Sequence, residues 1–350
     1  MEAFILKPND ITRAIVDATV DRGLREIEED PRRSIRKLTD MGRQFSKGRF
    51  LQEVYAIFQE LLRNDDSPYY TAIEHLLRNT DRKALKGFGI NIGYNSLTYG
   101  GKVIRSIESK KSFQIPWALI LRINPTIPGG TTPAEIENCI LQGRPLGIYT
   151  YILRCSGSLS CLEPLVRLFR TYSDCAFICL LPDQELTPAH LSLLKPCINT
   201  MCLFPASTAS CAANARNMRQ QKSWYGTYDY YGDEDCTSWL SGERTREFIS
   251  HDSSFVILIA RDGCSQSCRE QIGQYVKDTR LQPVYPFIMF DLYTDAYQID
   301  HIMSSEACYF ELLENGDIYT HKGLVTDYRH ALSLEQIFAV ALPKDKGSQK

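Results

Sequence analysis

The sequence has little net charge, no long apolar run and too few cysteines for a disulfide scaffold. Its 350 residues include 40 Lys and Arg and 42 Asp and Glu, a net charge of −2, which excludes a histone-like nucleic-acid binder. No apolar run reaches the roughly 18 residues that a membrane span needs. The first residues show no basic segment followed by an apolar stretch, so we expect no secretory signal. The 12 cysteines are too sparse for a disulfide scaffold and predict reduced thiols in the cytoplasm.

The rest of the composition is typical of a soluble globular protein, with 43% hydrophobic and 11% aromatic residues. Residues 1–112 predict a helical region, because apolar residues recur there at helical spacing. Asp30 and Pro31 predict a helix start, since proline fits the first helical position. The apolar stripes are Ile35, Leu38, Met41 and Phe45, then Leu51, Val54, Phe58, Leu61 and Leu62, then Tyr69, Ile73, Leu76 and Leu77.

Residues 113–295 show a different pattern, in which short apolar runs alternate with helical stretches. The runs are 117–124, 147–153, 177–181, 200–204, 255–260 and 285–292. This alternation predicts an α/β fold with a parallel sheet and helical crossovers, either an open barrel or a doubly wound sheet. The polar interval 206–254 predicts a poorly ordered insertion or a lid. Residues 296–350 predict a small C-terminal extension with a hairpin that turns at Asn315 and Gly316.

Several phrases along the chain resemble one enzyme family. They are residues 92–105 (IGYNSLTYGGKVIR), 122–126 (RINPT), 146–151 (LGIYTY), 165–177 (LVRLFRTYSDCAF), 226–229 (GTYD) and 313–321 (LENGDIYTH). In this order they resemble the radical S-adenosylmethionine superfamily, closest to members with an N-terminal helical region and a SPASM-like C-terminal region. The resemblance implies a partial (β/α)6 barrel at residues 113–295, and at 296–350 a SPASM-type region without its cysteines.

The motifs that carry the family's chemistry are missing. In the family, the loop after the first barrel strand holds CxxxCxxC, whose three thiolates bind a [4Fe–4S] cluster; here residues 125–132 read PTIPGGTT. The family's GGEP segment, which contacts the cofactor's amino group, corresponds to residues 156–159, and the Ser158 hydroxyl cannot replace the acidic side chain. The family's TNG corresponds to residues 181–183. The resemblance therefore implies a degenerate member that builds no cluster and has no catalytic residue of this type.

The loops at the mouth of the expected barrel supply the candidate ligand-binding residues. These are Asn124, Thr126, Gly129, Gly130, Ser156, Gly157, Ser158 and Asp183. The segment 129–133 has two interpretations. Thr132 and Glu135 can form a capping box with Pro133 in the first turn, or the glycines can let backbone amides bind an anion at a helix N-terminus. We favour the cap, because no lysine follows at the spacing of a phosphate-binding loop.

Three cysteines form the alternative metal site. Cys264 and Cys268 lie one helical turn apart after a predicted strand, and Cys155 follows another strand and could face them. Zinc or iron would suit these thiols, although isolated and partly buried thiols are the simpler interpretation. Asp229, Asp233, Glu234 and Asp235 fit a cation site, a site for a basic peptide or, more simply, a solvated loop. The neighbouring aromatic residues 224–231 fit a partner interface or a loop packed over the barrel.

Together these observations favour a cytoplasmic pseudoenzyme. We expect it to be a non-catalytic partner of an intact radical S-adenosylmethionine homologue, or a subunit that docks that homologue's substrate, in peptide or cofactor modification. We expect no nucleic acid or membrane as partner and no cofactor. The alternatives are an active enzyme and a ligand sensor. Either would use the barrel mouth with zinc at Cys155, Cys264 and Cys268, or with a non-standard iron–sulfur cluster and S-adenosylmethionine.

Overall fold

The N-terminal part of the chain is helical. The computed structural model describes residues 10–29, 31–45, 49–304, 306–325 and 333–344. Before the first strand, these residues form α1 (Asp10–Glu29), α2 (Pro31–Phe45), α3 (Arg49–Leu61), α4 (Pro68–Asn79), α5 (Arg82–Ile90), a π-helix (Asn91–Gly100) and α6 (Gly101–Glu108). The expected helical region is therefore present, and α2 begins at Pro31. Asp30, the other residue of the predicted helix start, lies outside the described residues.

The rest of the described chain builds one sheet and its surrounding helices. The strands are β1 (Ala118–Ile123), β2 (Thr150–Cys155), β3 (Ala176–Leu180), β4 (Thr200–Pro205), β5 (Tyr225–Tyr231), β6 (Phe255–Ala260), β7 (Ile288–Asp291), β8 (Phe310–Leu312), β9 (Ile318–Thr320) and β10 (Gly323–Val325). The helices are α7 (Pro133–Leu146), α8 (Leu162–Thr171), α9 (Pro188–Leu194), α10 (Ala209–Gln221), α11 (Cys236–Leu240), α12 (Glu243–Glu247), α13 (Gln266–Leu281), α14 (Leu292–Met303) and α15 (Leu334–Ala341).

The strand order makes this sheet a half-barrel. Strands β1 to β7 are neighbours in chain order and all pair in parallel, and β8 joins in parallel on the other side of β1. Right-handed crossovers that always advance in one direction place their helices on one face, so the sheet curls toward a barrel. The chain thus has the predicted α/β fold, and the barrel alternative describes it rather than the doubly wound one.

The two faces of the sheet are covered by different parts of the chain. On the outer face, residues such as Leu121 of β1 pack with the crossover helices, for example with Ile140 of α7. On the inner face, residues such as Ile120 of β1 pack with Leu85 of α5 and with Leu292 of α14. The N-terminal helices and α14 therefore pack against the inner side of the half-barrel.

The prediction of an insertion or lid at residues 206–254 is wrong. This interval contains α10, β5, α11 and α12, and β5 lies inside the sheet between β4 and β6. The strand was hidden because its apolar residues are aromatic and are separated by Gly226 and Asp229, although tyrosine and threonine favour strands. Since β5 adds a unit, the parallel part has seven consecutive strands instead of six.

Except for the partly exposed Tyr230, the aromatic residues of this interval are core residues. Tyr228 packs on the inner face, whereas Tyr225 and Tyr231 pack on the outer one. Such alternation is what a strand buried on both faces requires. Trp239 of α11 is also fully buried.

Two smaller predictions are confirmed at the ends of elements. Thr132 caps α7 in a capping box with Glu135, and Pro133 takes the first turn. β8 and β9 form an antiparallel hairpin around Gly316, whose φ is +93°. Among the described residues, the helices are all too short or too polar to cross a bilayer.

Candidate functional site

The predicted ligand residues lie on one rim, formed by the loops that follow the carboxyl ends of β1, β2 and β3. Asn124 and Thr126 follow β1, Gly157 follows β2, and Asp183 follows β3. The first two loops touch, because a Cβ atom at Gly157 would lie 2.5 Å from Asn124 Oδ1. The structure therefore brings these loops together at the end of the sheet where α/β barrels bind their ligands.

The polar groups of this rim bond to one another. Asn124 Oδ1 accepts hydrogen bonds from Thr126 N at 3.0 Å and from Thr126 Oγ1 at 2.6 Å. Gln184 Nε2 donates to the carbonyl of Gly157 at 3.2 Å, which links the loops after β2 and β3. The backbone N–H of Gly130 donates to Ile127, and Ser158 Oγ accepts from Ser160 N. These loops thus form a closed, self-bonded surface.

Two of the predicted ligand residues at this rim form hydrogen bonds to neighbouring elements of the structure. Ser156 N donates to the carbonyl of Ile123 at 2.8 Å and continues the ladder between β1 and β2. Asp183 accepts from Ser210 Oγ at 2.6 Å, which lowers the pKa of the carboxyl. Gly129 is exposed in a left-handed turn with φ +74°.

The residues present do not fit the iron–sulfur cluster that the family resemblance implies. Among the described residues 124–132, which follow β1, there is no thiol. Cys155 points to the outer face, where its sulfur lies 3.8 Å from that of Cys179 and both are buried in the core. These thiols face away from the inner mouth, so they offer no set of three ligands there.

The inner mouth instead holds a network of charged residues. Arg122 of β1 and Arg154 of β2 are register partners, and both project from the inner face near the strand ends. Each contacts the same oxygen of Glu311 in β8, Arg122 from its Nε at 2.8 Å. Arg122 also makes a two-pronged bond to Asp262, with both distances 3.0 Å. We call Arg122, Arg154, Glu311 and Asp262 the ion network.

Burial and charge are unevenly distributed within the ion network. The Glu311 side chain is 3% exposed and those of the two arginines 11–12%, whereas that of Asp262 is 81% exposed. Burial would raise the pKa of Glu311, but the charges of Arg154 and Arg122 outweigh it and hold this pKa below its usual value. The hydrogen bond from Arg122 likewise lowers the pKa of Asp262. The network therefore has a deep part, one carboxylate between two cations, and an exposed carboxylate that covers it.

Tyrosines surround the ion network. Tyr309 donates to the second Glu311 oxygen at 3.0 Å and packs against the ring of Tyr293, 4.6 Å between centroids. Arg269 donates to the Tyr319 hydroxyl at 3.1 Å, and Arg154 lies 5.9 Å from the centre of the Tyr230 ring. Guanidinium groups bind carboxylates in a two-pronged geometry and stack on aromatic rings, so this surface suits the recognition of a carboxylate.

Sequence reasoning missed this network, although a local signal was present. The runs ALILRI and TYILRC each place one arginine at the same position of a buried strand. A charged residue inside an otherwise apolar run of a parallel strand needs a buried partner. That partner, Glu311, is more than 150 residues away in the sequence, so no local pattern identifies it.

The structure separates the cysteines of the alternative metal site. Cys264 and Cys268 lie together, but the group that they join contains Asp233 instead of Cys155: one donor atom from each of the three lies within 4.8 Å of the others. Burial raises the pKa of the thiols of Cys264 and Cys268. Asp233 comes from the loop after β5, the strand that the sequence did not predict.

A cavity of about 440 Å³ lies away from this rim, beside α5 and the amino end of β4. Thr200, Gln221 and Trp224 line it, and each has a buried polar side-chain atom without a hydrogen-bond partner among the described residues. None of the predicted ligand residues lines this cavity.

Comparison with known proteins shows only a distant similarity to solved structures. No family model matches the chain, and no curated protein matches it. Among solved structures, the chain is similar to Streptococcus suis SuiB bound to S-adenosylmethionine, at 11% identity and a TM-score of 0.43, over 59% of this chain and 58% of that one. It is also similar to SuiB bound to the precursor peptide SuiA, at 9% identity and a TM-score of 0.44, over 61% of each chain. The chain thus matches less than two thirds of the length of these structures, and we base the proposals below on its own residues.

Proposed function

We propose that the chain is a radical S-adenosylmethionine-like pseudoenzyme that docks a peptide for an intact homologue. The observation that carries this proposal is the ion network, which fills the inner mouth where the family resemblance implies a cluster and its cofactor. No chemistry is assigned to the network, because its carboxylates are held by arginines and the described loop after β1 carries no thiol. The free state of all 12 cysteines supports the reducing cytoplasm as its location.

The exposed member of the ion network indicates what the mouth binds. Asp262 holds the guanidinium of Arg122 in the two-pronged geometry that an arginine forms with any carboxylate. Arg154 retains a buried Nε–H donor with no partner among the described residues. A carboxylate of a docked peptide can therefore take the place of Asp262, with the surrounding tyrosines in contact with the peptide. Asp262 acts in this proposal as an internal competitor of the peptide.

We expect anaerobic reconstitution with iron and sulfide to give no cluster that binds S-adenosylmethionine. The reason is that the described loop after β1 supplies no thiolate ligands. The measurement is iron content, absorbance and calorimetric titration with S-adenosylmethionine, on the wild type and on a Cys264→Ser, Cys268→Ser variant. In this variant no iron can bind at Cys264 and Cys268, a pair that does not belong to the loop after β1. A cluster that persists in the variant and binds S-adenosylmethionine would overturn the pseudoenzyme assignment.

Replacing Asp262 by Asn is expected to strengthen the binding of an acidic peptide about tenfold. The change frees the guanidinium of Arg122, and a hydrogen bond to a charged group contributes roughly 1.5–3 kcal/mol. A difference of about 1.4 kcal/mol corresponds to a factor of ten in affinity. The probe is a fluorescein-labelled hexaglutamate peptide, compared by anisotropy with hexaglutamine. Asp66→Asn, in the exposed loop between α3 and α4, is the matched control. Equal affinities of the wild type and Asp262→Asn, or equal gains for both peptides, would contradict the docking proposal.

The partner role has its own test. The chain and the intact homologue from the same organism, recognised by its CxxxCxxC loop, are purified separately and mixed before size-exclusion chromatography. Co-elution as a complex, with activity of the homologue on its peptide raised by the added chain, is expected. Separate elution at concentrations well above those in the cell, with no effect on activity, would count against it.

A further inference from the structure

The loops after β5 and β6 bring together a set of metal-binding side chains. Tyr231 and Ala260 are the last paired residues of these two parallel strands, and Arg261 N donates to the carbonyl of Tyr231 at 2.8 Å. The two loops therefore leave the sheet side by side. One carries Asp233 and Cys236, and the other carries Cys264 and Cys268.

The distances between the donor atoms are close to those between the ligands of a metal centre. One carboxylate oxygen of Asp233 and the sulfurs of Cys264 and Cys268 lie within 4.8 Å of one another. In tetrahedral zinc sites the metal–sulfur bond is about 2.3 Å, which places two sulfur ligands about 3.8 Å apart. Closing the observed group onto an ion thus needs shifts on the order of 1 Å, which side-chain rotation supplies.

A further thiol lies next to this group. The thiol of Cys236, at the start of α11, contacts that of Cys268 but is outside the set whose donor atoms all lie within 4.8 Å of one another. The spacing is D-x2-C in one loop and C-x3-C in the other, so each loop supplies a pair of ligands. Thiolates in a tetrahedral arrangement select zinc over magnesium or calcium, which prefer oxygen ligands.

Neighbouring groups hold the ligands in place. Ser265 caps α13, and its backbone N–H donates to Asp233 at 3.2 Å, as does its hydroxyl. The same hydroxyl accepts from the backbone N–H of Cys268 at 3.2 Å. Arg269 donates from its Nε to the carbonyl of Cys264 at 3.2 Å. Groups that hydrogen-bond to metal ligands in this way orient them and increase the affinity of the site for the metal.

We propose that Asp233, Cys264 and Cys268 bind a zinc ion, with Cys236 as the fourth ligand. With all four positions taken by protein, the site is structural: it fastens the loop after β5 to the loop after β6. The second loop also carries Asp262, so the ion fixes the residue that covers Arg122 at the mouth. The site stands on its own donors and does not depend on the docking proposal.

Cobalt substitution of the full-length reduced protein tests the site directly. We expect about one equivalent of Co²⁺ to give the thiolate-to-cobalt charge-transfer band and the visible bands of a tetrahedral site, and Zn²⁺ to abolish both. No charge-transfer band at saturating Co²⁺ would overturn the proposal without any variant.

Variants assign the ligands. Cys264→Ser and Cys268→Ser are expected each to weaken zinc binding at least 100-fold, and Asp233→Asn and Cys236→Ser at least tenfold, in competition with a chromophoric chelator. Cys139→Ser, at a half-buried thiol of α7, is the matched control with unchanged affinity. Circular dichroism confirms that each variant folds. Full affinity in Cys264→Ser with Cys268→Ser would refute the site, and full affinity in Cys236→Ser would refute its fourth ligand.

Discussion

Replacing Glu311 by Gln is expected to lower the free energy of unfolding by about 3–5 kcal/mol, because it leaves two buried guanidinium groups without their shared countercharge. The wild-type carboxylate is 3% exposed and contacts both Arg122 and Arg154. The neutral amide keeps the shape but presents an N–H₂ group to donors. Urea denaturation of the two proteins at pH 7 measures the difference.

The control for this experiment is Glu163→Gln, which removes an exposed ion pair with Arg167 in α8. Such surface pairs contribute about 0.2–1 kcal/mol, so the control should be nearly as stable as the wild type. If Glu311→Gln loses no more free energy of unfolding than Glu163→Gln, water or rearrangement compensates the charges of the arginines. The ion network would then not be a rigid feature.

A third variant separates stability from function. Arg122→Met, Arg154→Met and Glu311→Leu together remove the whole buried part of the network and leave no buried charge unpaired, because Asp262 is exposed. Replacement of complete buried ion groups by apolar residues is often neutral or stabilising. We expect this triple variant to unfold near the wild-type urea concentration but to bind the hexaglutamate probe no better than hexaglutamine.

Most of the sheet followed from the sequence because its strands are buried on both faces. Runs such as 118–123 and 255–260 are almost continuously apolar, which is the pattern of a parallel strand covered on both sides. β5 lacks that pattern, since Tyr225–Tyr231 mixes aromatic and polar residues. β8 is predicted as one strand of the C-terminal hairpin, but its three residues give no sign that it also pairs with β1.

The missed strand also explains the errors at the site. The spacing of Cys264 and Cys268 on one helical turn was sufficient to predict that they lie together. Without β5, the sequence predicts no ordered place for Asp233, and it puts Cys155 beside the pair instead. The ion network needs β8 next to β1, a pairing between residues far apart in the chain that only the tertiary structure supplies.

Asp300 of α14 ties the start of β1 to the segment before β8. Its carboxylate is fully buried and accepts hydrogen bonds from Trp117 N at 2.9 Å and from Cys308 N at 2.7 Å. Burial raises the pKa of Asp300 to about 7; the two backbone donors oppose this shift, and the charge of Glu108 adds to it. In the unfolded chain an aspartate has a pKa of about 3.9.

These values give the direction of the pH dependence. A carboxyl group whose pKa is raised by folding stabilises the native state fully below its unfolded pKa, and this contribution is lost as the pH rises through the folded pKa. Each pH unit between the two values corresponds to about 1.4 kcal/mol. Between pH 5 and pH 8 the wild type should therefore lose about 3 kcal/mol relative to Asp300→Asn, which does not titrate at this position.

Urea denaturation of the wild type and of Asp300→Asn at pH 5, 6, 7 and 8 measures this difference, and taking it between the two proteins cancels the other titrating groups. A carbon-13 titration of the labelled Asp300 carboxyl gives the pKa directly and needs no variant. A difference that stays constant with pH, together with a midpoint at or below about 3.9, would show that the N–H donors of Trp117 and Cys308 outweigh burial. In that case the carboxylate is charged throughout, and the junction of β1, α14 and β8 is held by an ionised side chain.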